Sequence, residues 1–191
     1  MILIIDNHSG NINKIEKILK KFNQKYKIQN QSSLFKEIKN IKGIILTGGG
    51  LILDKKIMLN KIRADTSSII NYNVPVLGIC LGHEIIGELC GAEISKLKKP
   101  IKDKEIKIKI LKREAIFKNL PEEISVWENH SRHLSAIPNS FVLAATSQKS
   151  KAEALFHKTK PIYTVQFHPE ESSEIGEQII KNFLDICNSH K

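Results

Sequence analysis

Apolar residues follow two alternating arrangements along the first half of the chain. Short uninterrupted apolar runs predict buried strands at 2–5, 26–29, 43–46 and 76–79. Between these runs apolar residues recur every three or four positions, which predicts helices over 12–22, 56–71 and 81–89 and a short one from Ser32 or Ser33 to Ile38. Strands that alternate with helices through short links predict an α/β, three-layer fold, in which helices flank a central, mostly parallel sheet.

The pattern changes beyond Gly91. Residues 96–104 are rich in lysine and contain a proline, which predicts a basic loop, whereas residues 105–111 alternate charged and apolar side chains as a half-buried antiparallel strand does. Further short strands are predicted at 126–127, 141–145, 152–156 and 162–165, and a closing helix at 173–187. The C-terminal half therefore adds a small antiparallel sheet. No linker or repeat divides the chain, so residues 1–191 are expected to form a single domain.

The formal net charge of +10 makes nucleic acid a partner to consider. The lysines are spread along the whole chain, and neither of the two densest basic segments, 14–27 and 96–109, matches a nucleic-acid-binding motif. We therefore expect a solvated basic surface and no nucleic-acid partner.

Two further features bear on the compartment. No apolar segment approaches the roughly 20 residues that a membrane-spanning helix needs, and no signal peptide is recognised. Cys80, Cys90 and Cys187 have no paired spacing, which is typical of a reducing compartment. The expectation is a cytoplasmic protein that does not associate with a membrane.

Cys80 stands at the predicted junction between a strand and a helix. It is flanked by Gly78 and Gly82, so the segment has the Gly-x-Cys-x-Gly form of a nucleophile elbow. The nucleophile of such an elbow has a strained backbone, and its close neighbours must be small for the turn to form. A thiol at a helix N-terminus is also activated, because unpaired backbone N–H groups stabilise the thiolate. The alternative is a buried structural cysteine, since free cysteines are common in protein cores.

A thiol nucleophile needs a general base, and His168 is the best placed of the seven histidines. It follows a predicted strand and is therefore expected at the same edge of the sheet as Cys80. Glu170 is able to accept a hydrogen bond from the imidazole, and Pro169 restricts His168 to an extended conformation. The candidate catalytic triad is therefore Cys80, His168 and Glu170.

Other interpretations of the histidines stay open. His130 and His133 are alternative bases in polar, loop-like surroundings. His168 and Glu170 are also compatible with an exposed ion pair at the end of a strand, without a catalytic role. No combination of histidines with cysteines or acids has the spacing of metal ligands, so we predict no metal site.

The segment 47–50, Thr-Gly-Gly-Gly, follows a predicted strand and reaches the same edge of the sheet. Attack on an amide creates a tetrahedral oxyanion that backbone N–H groups must stabilise. The N–H groups of Gly49 and of Leu81, the residue after the candidate nucleophile, are expected to form this oxyanion hole. A merely flexible turn is the alternative. A phosphate-binding loop is not indicated, because no Lys-Ser/Thr pair follows the glycines.

Three segments together resemble the motifs of the class I, or triad, glutamine amidotransferases. They are Ile-Leu-Thr-Gly-Gly at 45–49, Gly-Ile-Cys-Leu-Gly-His at 78–83 and Val-Gln-Phe-His-Pro-Glu at 165–170. The resemblance covers essentially the whole chain. It implies that the candidate triad and oxyanion hole hydrolyse L-glutamine to glutamate and ammonia. The residues that it implies for the glutamine pocket are Gly48, Gly82, Glu84, Asn129 and His130.

Within this family the resemblance is strongest to the separate glutaminase subunits of archaeal GMP synthases. It depends on the segments 3–7, 126–130, 157–163 and 181–183. The resemblance implies that ammonia passes to a separate ATP-pyrophosphatase subunit, the synthetase, which converts XMP to GMP. It also implies that this chain has no cofactor and that the partner subunit binds ATP and magnesium.

The chain departs from the family pattern at several positions. Glu84 replaces the usual glutamine, and a carboxylate there would accept from a substrate ammonium but repel the substrate carboxylate and raise the pKa of Cys80. Gly50 replaces a proline of the loop, and Arg132 replaces an acid. Two other functions therefore stay open: the glutaminase subunit of anthranilate or aminodeoxychorismate synthase, and a catalytically weakened subunit that binds and regulates a synthetase.

Overall fold

A computed structural model describes residues 1–30, 40–49, 56–70 and 72–190, with the backbone alone for 56–59 and 61. The expected helix from Ser32 or Ser33 to Ile38 lies outside these residues, as does Gly50. The helix predicted over 56–71 is present as Lys56–Ile69, and its predicted last residue is again outside the description.

The strands of the described residues form one mixed sheet of nine strands. In sequence order they are β1 (Ile2–Asp6), β2 (Tyr26–Asn30), β3 (Gly43–Leu46), β4 (Val76–Ile79), β5 (Ile94–Ile110), β6 (Glu123–Leu134), β7 (Phe141–Thr146), β8 (Ala154–His157) and β9 (Ile162–Val165). Their order across the sheet is β2-β1-β3-β4-β9-β8-β7-β5-β6. Pairing is parallel from β2 to β9 and antiparallel from β9 to β6. The expected α/β fold is confirmed, but the antiparallel strands extend the central sheet instead of forming a separate small one.

Helices pack on both faces of this sheet. They are α1 (Ile12–Lys21), α2 (Lys56–Ile69), α3 (Leu81–Leu89) and α4 (Ser173–Ser189), with 3-10 turns at Ala115–Phe117 and Pro169–Glu171. Successive side chains of a strand point to opposite faces. Ile2 and Ile4 of β1 therefore pack in the core that contains α1 and α4. Leu3 and Ile5 pack in a second core with residues of α2 and α3. No helix in the described ranges is long and apolar enough to cross a membrane.

The largest difference from the sequence analysis concerns residues 96–104, which belong to strand β5 and do not form a loop. Within this segment only Ile101 is buried, because the strand extends past the core and most of its side chains face solvent. A strand without one apolar face has no period-two pattern, and for that reason the sequence predicted a loop. Its partner β6 is likewise longer than the two residues predicted at 126–127.

The order of the parallel strands brings three chain segments to one edge of the sheet. Strands β3, β4 and β9 are neighbours, and their last residues lie side by side. Parallel strands present their carboxyl ends at a common edge, where sites form in open α/β sheets. The glycine segment after β3, Cys80 after β4 and His168 after β9 therefore meet at one edge, as the sequence predicted.

A buried asparagine ties helix α4 to the 3-10 turn Ala115–Phe117. The Nδ2 of Asn182 donates to the carbonyls of Ile116 and Lys118, at 2.9 and 2.8 Å. A buried carbonyl that loses its donor also loses hydration, so the absence of such a bond costs more than the bond itself contributes. Asn182 therefore supports the packing of α4 on the sheet, together with the buried Phe183 beside it.

Asn182→Ala is expected to lower the free energy of unfolding by about 1–3 kcal/mol, because two carbonyls lose their donor. Urea denaturation measures the change. Asn188→Ala is the matched control, since Asn188 is exposed on the same helix and reports the gain in helix propensity alone. Equal stabilities of the two variants would show that the buried bonds contribute nothing.

Candidate active site

Cys80 joins β4 to α3, and its backbone is strained. Its φ of 49° and ψ of −102° lie outside the regions that residues other than glycine ordinarily occupy, and such a conformation costs on the order of 1–3 kcal/mol. Two hydrogen bonds hold it. The Cys80 N–H donates to the carbonyl of Val165 in β9 at 2.9 Å, and the Cys80 carbonyl accepts from the N–H of Glu84 in α3 at 3.0 Å. The elbow that the sequence predicted at Cys80 is confirmed.

The imidazole of His168 interacts with the Cys80 thiol and is held by Glu170. Its Nδ1 is 2.8 Å from Oε1 of Glu170, and both side chains are buried, which excludes an exposed ion pair. The His168 N–H donates to the carbonyl of Trp127 at 2.8 Å, and the Ser172 hydroxyl donates to the His168 carbonyl at 2.7 Å. Because Nδ1 donates to the carboxylate, Nε2 is the nitrogen left for the thiol.

Burial and charge act in opposite directions on the thiol and the imidazole. Burial raises the pKa of Cys80, whereas the adjacent His168 acts to lower it. Burial acts to lower the pKa of His168, but Cys80 and Glu170 outweigh burial and hold that pKa well above its usual value. The carboxyl groups of Glu84 and Glu170 add to the raised pKa of Cys80, as expected for Glu84. The arrangement favours an imidazolium beside a thiolate, since each charge stabilises the other.

Gly48 lets the loop after β3 approach both groups closely. A Cβ at this position would lie 2.9 Å from Cε1 of His168 and 3.3 Å from Cβ of Cys80. Gly82 is packed in the same way, because a Cβ there would lie 2.6 Å from the carbonyl oxygen of Leu46. Both glycines were expected in the substrate pocket. They make packing contacts, and neither lines the two cavities at Cys80.

The buried Asn7, which follows β1, holds the loop after β3 in place. Its N–H donates to the hydroxyl of Thr47 at 2.9 Å, and its side-chain amide donates to the Thr47 carbonyl at 2.7 Å. A Cβ at Gly49 would lie 2.1 Å from the Asn7 carbonyl oxygen, so only glycine fits there without displacement of the backbone. The sequence analysis did not predict this support, because it joins residues 40 positions apart.

Gly49 and Leu81 are neighbours beside Cys80. Leu81 is the first residue of α3, so its N–H has no partner within the helix. The Leu81 side chain lies 3.2 Å from the place of a Cβ on Gly49, and both residues line a cavity together with Cys80. Two backbone N–H groups beside a nucleophile suit the stabilisation of an oxyanion. Their role as donors stays a prediction.

Two cavities adjoin Cys80. The inner cavity has a volume of about 240 Å³ and includes Leu81, Glu84, Asn129, His130 and Arg132 in its wall. The outer cavity has a volume of about 330 Å³ and reaches His168 and Glu171. Gly49, Cys80 and Asn129 line both, so the thiol lies where the two cavities meet. A space of this size accommodates one amino acid.

Glu84 is a buried part of the inner cavity wall. Its side chain is on the first turn of α3, and the residue is 2% exposed. Its Oε1 accepts a hydrogen bond of 3.3 Å from Nε2 of Gln166, whereas Oε2 has no partner among the described residues. Burial raises the pKa of this carboxyl, and Gln166, His130 and Arg132 act to lower it.

His130 was an alternative base, and its hydrogen bonds argue against that role. Its Nδ1 donates to the carbonyl of Arg132 at 2.6 Å, and its Nε2 lies 3.0 Å from Oε2 of the buried Glu128. Both ring nitrogens are therefore engaged away from the thiol. His133, the other alternative, lines neither cavity. His168 is thus the base that the geometry favours. Both alternatives lie in strand β6 and not in a loop.

The sequence analysis gave no role to several residues that form the site. Residues 100–102 of β5 line the inner cavity, although the sequence predicted a solvated loop there. Asp103 accepts a 2.8 Å hydrogen bond from the side-chain amide of Asn129, which ties β5 to β6 next to the cavity. Arg132 was noted only as a departure from the family pattern, yet it lines the same cavity. Charged residues on an exposed strand give no local signal that separates them from ordinary surface.

The chemistry available here is that of a thiol, an imidazole and a carboxyl group. Within the described part of the chain, no group of three or more histidine, cysteine, aspartate or glutamate side chains is arranged to hold a metal ion. The thiols of Cys80, Cys90 and Cys187 are all free. A buried thiol beside a base, two backbone N–H groups and a small cavity is suited to nucleophilic attack on an acyl group.

Known proteins resemble the chain over nearly its whole length. The glutamine amidotransferase class-I family model matches residues 3–187. The A subunit of the glutamine-hydrolyzing GMP synthase of Thermoplasma acidophilum is 35% identical over 191 residues, which cover 100% of this chain and 94% of that protein. The protein of the same name from Methanocaldococcus jannaschii is 36% identical over 191 residues, which cover 98% of this chain and 97% of that protein.

Solved structures agree with these similarities. A Thermoplasma acidophilum protein assigned as the A subunit of GMP synthase has a TM-score of 0.90 at 35% identity, covering 98% of this chain and 94% of that one. A glutamine amidotransferase from Thermotoga maritima has a TM-score of 0.78 at 19% identity, covering 96% of this chain and 82% of that one. At that lower identity the second likeness concerns the fold alone.

His168→Ala is expected to slow alkylation of Cys80 at neutral pH by about tenfold or more. His168 acts to lower the pKa of Cys80, so its removal raises that pKa and moves the rise in alkylation rate to higher pH. Iodoacetamide labelling across a pH series, with mass spectrometry of the Cys80 peptide, measures the rate. Labelling of Cys90 in the same samples is the internal control. An unchanged pH profile at Cys80 would contradict the pairing of thiolate and imidazolium.

Gly48→Ala is expected to displace the His168 ring, because the added Cβ would lie 2.9 Å from Cε1 and Glu170 restricts the ring. Overpacking of this kind costs about 1–3 kcal/mol of stability. Alkylation of Cys80 should slow as well. The matched control is Gly10→Ala, since a Cβ on Gly10 meets no atom within 4 Å. Equal alkylation rates and melting temperatures in both variants would refute the close approach at Gly48.

Proposed function

The chain belongs to the class-I glutamine amidotransferases, and from that membership we propose that it is the glutaminase subunit of a two-subunit GMP synthase. It hydrolyses L-glutamine to glutamate and ammonia, and a separate synthetase subunit consumes the ammonia. The observation that carries this proposal is the buried array of Cys80, His168 and Glu170 beside a cavity of amino-acid size. Full-length relatives named as the A subunits of GMP synthases support the pathway.

The reaction begins with attack of the Cys80 thiolate on the carboxamide carbon of glutamine. A bond forms between sulfur and carbon, and the carbonyl oxygen takes the negative charge, which the N–H groups of Gly49 and Leu81 stabilise. His168 then gives its Nε2 proton to the amide nitrogen as the carbon–nitrogen bond breaks. Ammonia leaves, and a γ-glutamyl thioester remains on Cys80.

Water completes the cycle. The neutral imidazole of His168 takes a proton from a water molecule, and the resulting hydroxide adds to the thioester carbon. The carbon–sulfur bond breaks, glutamate is released, and the thiolate again faces an imidazolium. Glu170 acts in both halves, because its hydrogen bond keeps the proton on Nδ1 and its charge stabilises the imidazolium.

The ammonia is used by an ATP-pyrophosphatase subunit that converts XMP to GMP. ATP and magnesium bind to that partner, since the glycine segment of this chain lacks the Lys-Ser/Thr pair of a phosphate-binding loop. A separate synthetase subunit is supported by the relatives, which are named as one lettered subunit of the enzyme and whose length this chain covers to 94% and 97%. The free cysteines favour a cytoplasmic location.

Cys80→Ala, in the complex with the synthetase subunit, is expected to reduce glutamine-dependent GMP synthesis by a factor on the order of 10³ or more. Synthesis from added ammonium should stay within about twofold of wild type, because ammonium bypasses the thiol. Coupled assays with each nitrogen source measure the two rates. Cys90→Ala, which removes another free cysteine, is the control.

Three other results would each redirect the proposal. Loss of both activities in Cys80→Ala would make Cys80 a structural residue, and retention of both would exclude it as the nucleophile. A wild-type complex that forms but never hydrolyses glutamine would identify a regulatory subunit. Co-purification with the synthase component of an anthranilate or aminodeoxychorismate pathway would change the pathway and keep the chemistry.

A further inference from the structure

The inner cavity is lined by an acid and an arginine whose charges are not consumed by bonds to each other. Glu84 and Arg132 both belong to its wall, together with Cys80. Among the described residues, Oε2 of Glu84 has no hydrogen-bond partner, and the guanidinium of Arg132 forms no hydrogen bond or ion pair. The two groups are nevertheless close enough to act on each other, since Arg132 acts to lower the pKa of Glu84. A cavity therefore separates two opposite charges that are not paired with each other.

The carboxyl of Glu84 is held in one orientation. Gln166, which is fully buried, donates through Nε2 to Oε1 of Glu84 at 3.3 Å, and the N–H of Gln166 donates to the carbonyl of Glu153 at 2.8 Å. One carboxyl oxygen is thus satisfied by the described protein, and the other is not. A buried carboxyl with an unsatisfied oxygen is costly unless a ligand supplies the missing donor.

The charges around Glu84 favour a cation as that donor. His130 and Arg132 face it from β6, Gln166 faces it from the segment after β9, and Glu88 and Cys80 face it from α3 and the turn before it. Burial raises the pKa of the Glu84 carboxyl. An arriving ammonium group would add a positive charge and thereby favour the ionised form.

The distance from the thiol suits an α-amino acid. Glu84 is four residues after Cys80, and the N–H of Glu84 donates to the Cys80 carbonyl as in a helical turn. Side chains four apart on a helix are separated by about 5–6 Å. A glutamine whose carboxamide meets the thiol therefore brings its α-carbon, with one ammonium and one carboxylate group, to the level of Glu84 and Arg132.

We propose that Glu84 binds the α-ammonium group and Arg132 the α-carboxylate group of the glutamine substrate. The inference rests on the proposed glutaminase function and names the residues that make the pocket specific for a free α-amino acid. Arg132 meets a carboxylate through two parallel N–H donors, and Glu84 meets an ammonium through the oxygen that lacks a partner among the described residues.

The test pairs each residue with the substrate group that it binds. Three amides are compared: glutamine, glutaramate, which lacks the α-ammonium, and 4-aminobutanamide, which lacks the α-carboxylate. Ammonia release by the complex with the synthetase subunit gives kcat/KM for wild type, Glu84→Gln and Arg132→Gln. Lys102→Gln is the matched comparison, because Lys102 is a second cation in the wall of the inner cavity.

Each variant should lose activity only on substrates that carry the matching group. Glu84→Gln should lower kcat/KM for glutamine about 10–100-fold, the range for a hydrogen bond between charged groups. On glutaramate it should equal wild type within about twofold. Arg132→Gln should show the same loss on glutamine and glutaramate and no loss on 4-aminobutanamide. Lys102→Gln should stay within about threefold on glutamine.

Specific results overturn the pairing. A loss in Glu84→Gln that is as large on glutaramate as on glutamine would mean that Glu84 acts on the thiol and not on the ammonium. Equal losses in Lys102→Gln and Arg132→Gln would replace a specific contact by general charge. Melting temperatures check that Glu84→Gln folds, as expected for a change that keeps the acceptor for Gln166.

Calorimetric binding of glutamine to the Cys80→Ala complex separates this inference from the proposed function. If glutamine binds with an affinity that depends on Glu84 and Arg132 but the wild-type complex does not hydrolyse it, the pocket assignment stands and the hydrolytic function fails. If hydrolysis occurs and neither residue affects kcat/KM or affinity, the function stands and the pocket assignment fails.

Discussion

The backbone conformation at Cys80 is the constraint on which the site depends. Positive φ at a cysteine is unfavourable, and it persists because both flanking elements are fixed: β4 is fully buried between β3 and β9, and α3 begins immediately after the turn. The same turn has three effects. It puts the thiol at a helix N-terminus, leaves the Leu81 N–H without a helical partner, and brings the thiol to the edge where His168 follows β9. A relaxed backbone at this residue would remove all three.

The electrostatics of the site depend on a balance among buried charges. Glu84 and Glu170 both disfavour a thiolate at Cys80, and burial acts in the same direction. His168 is the group that opposes them, and Glu170 helps it do so by favouring the imidazolium. Glu170 therefore acts against the thiolate through space and for it through the imidazole. The position of the imidazole, held by Glu170 and by backbone bonds on both sides, decides the balance.

The parts of the molecule that were predicted from sequence are those with short-range patterns. Strand β4, the start of α3 and the elbow at Cys80 follow from an apolar run, helical spacing and two glycines within a few residues. The wall of the inner cavity was not predicted, because it is formed by contacts between distant segments, such as Asn129 with Asp103. Arg132 and residues 100–102 lie on strands that extend past the core, where burial no longer imposes a pattern on the sequence.

The bond between His168 and Trp127 has a mechanical consequence. Strand β6 is the last strand in the order of the sheet and lies far from β9 in that order, yet its Trp127 forms an antiparallel bridge with His168, just beyond β9. The sheet thus curls until its far end meets its middle, and the imidazole sits on that seam. A seam closed by few bonds opens at lower free energy than the parallel strands unfold. Catalytic competence is therefore a property of the closed seam, and a protein that docks on β6 acts on the imidazole by a route of two residues.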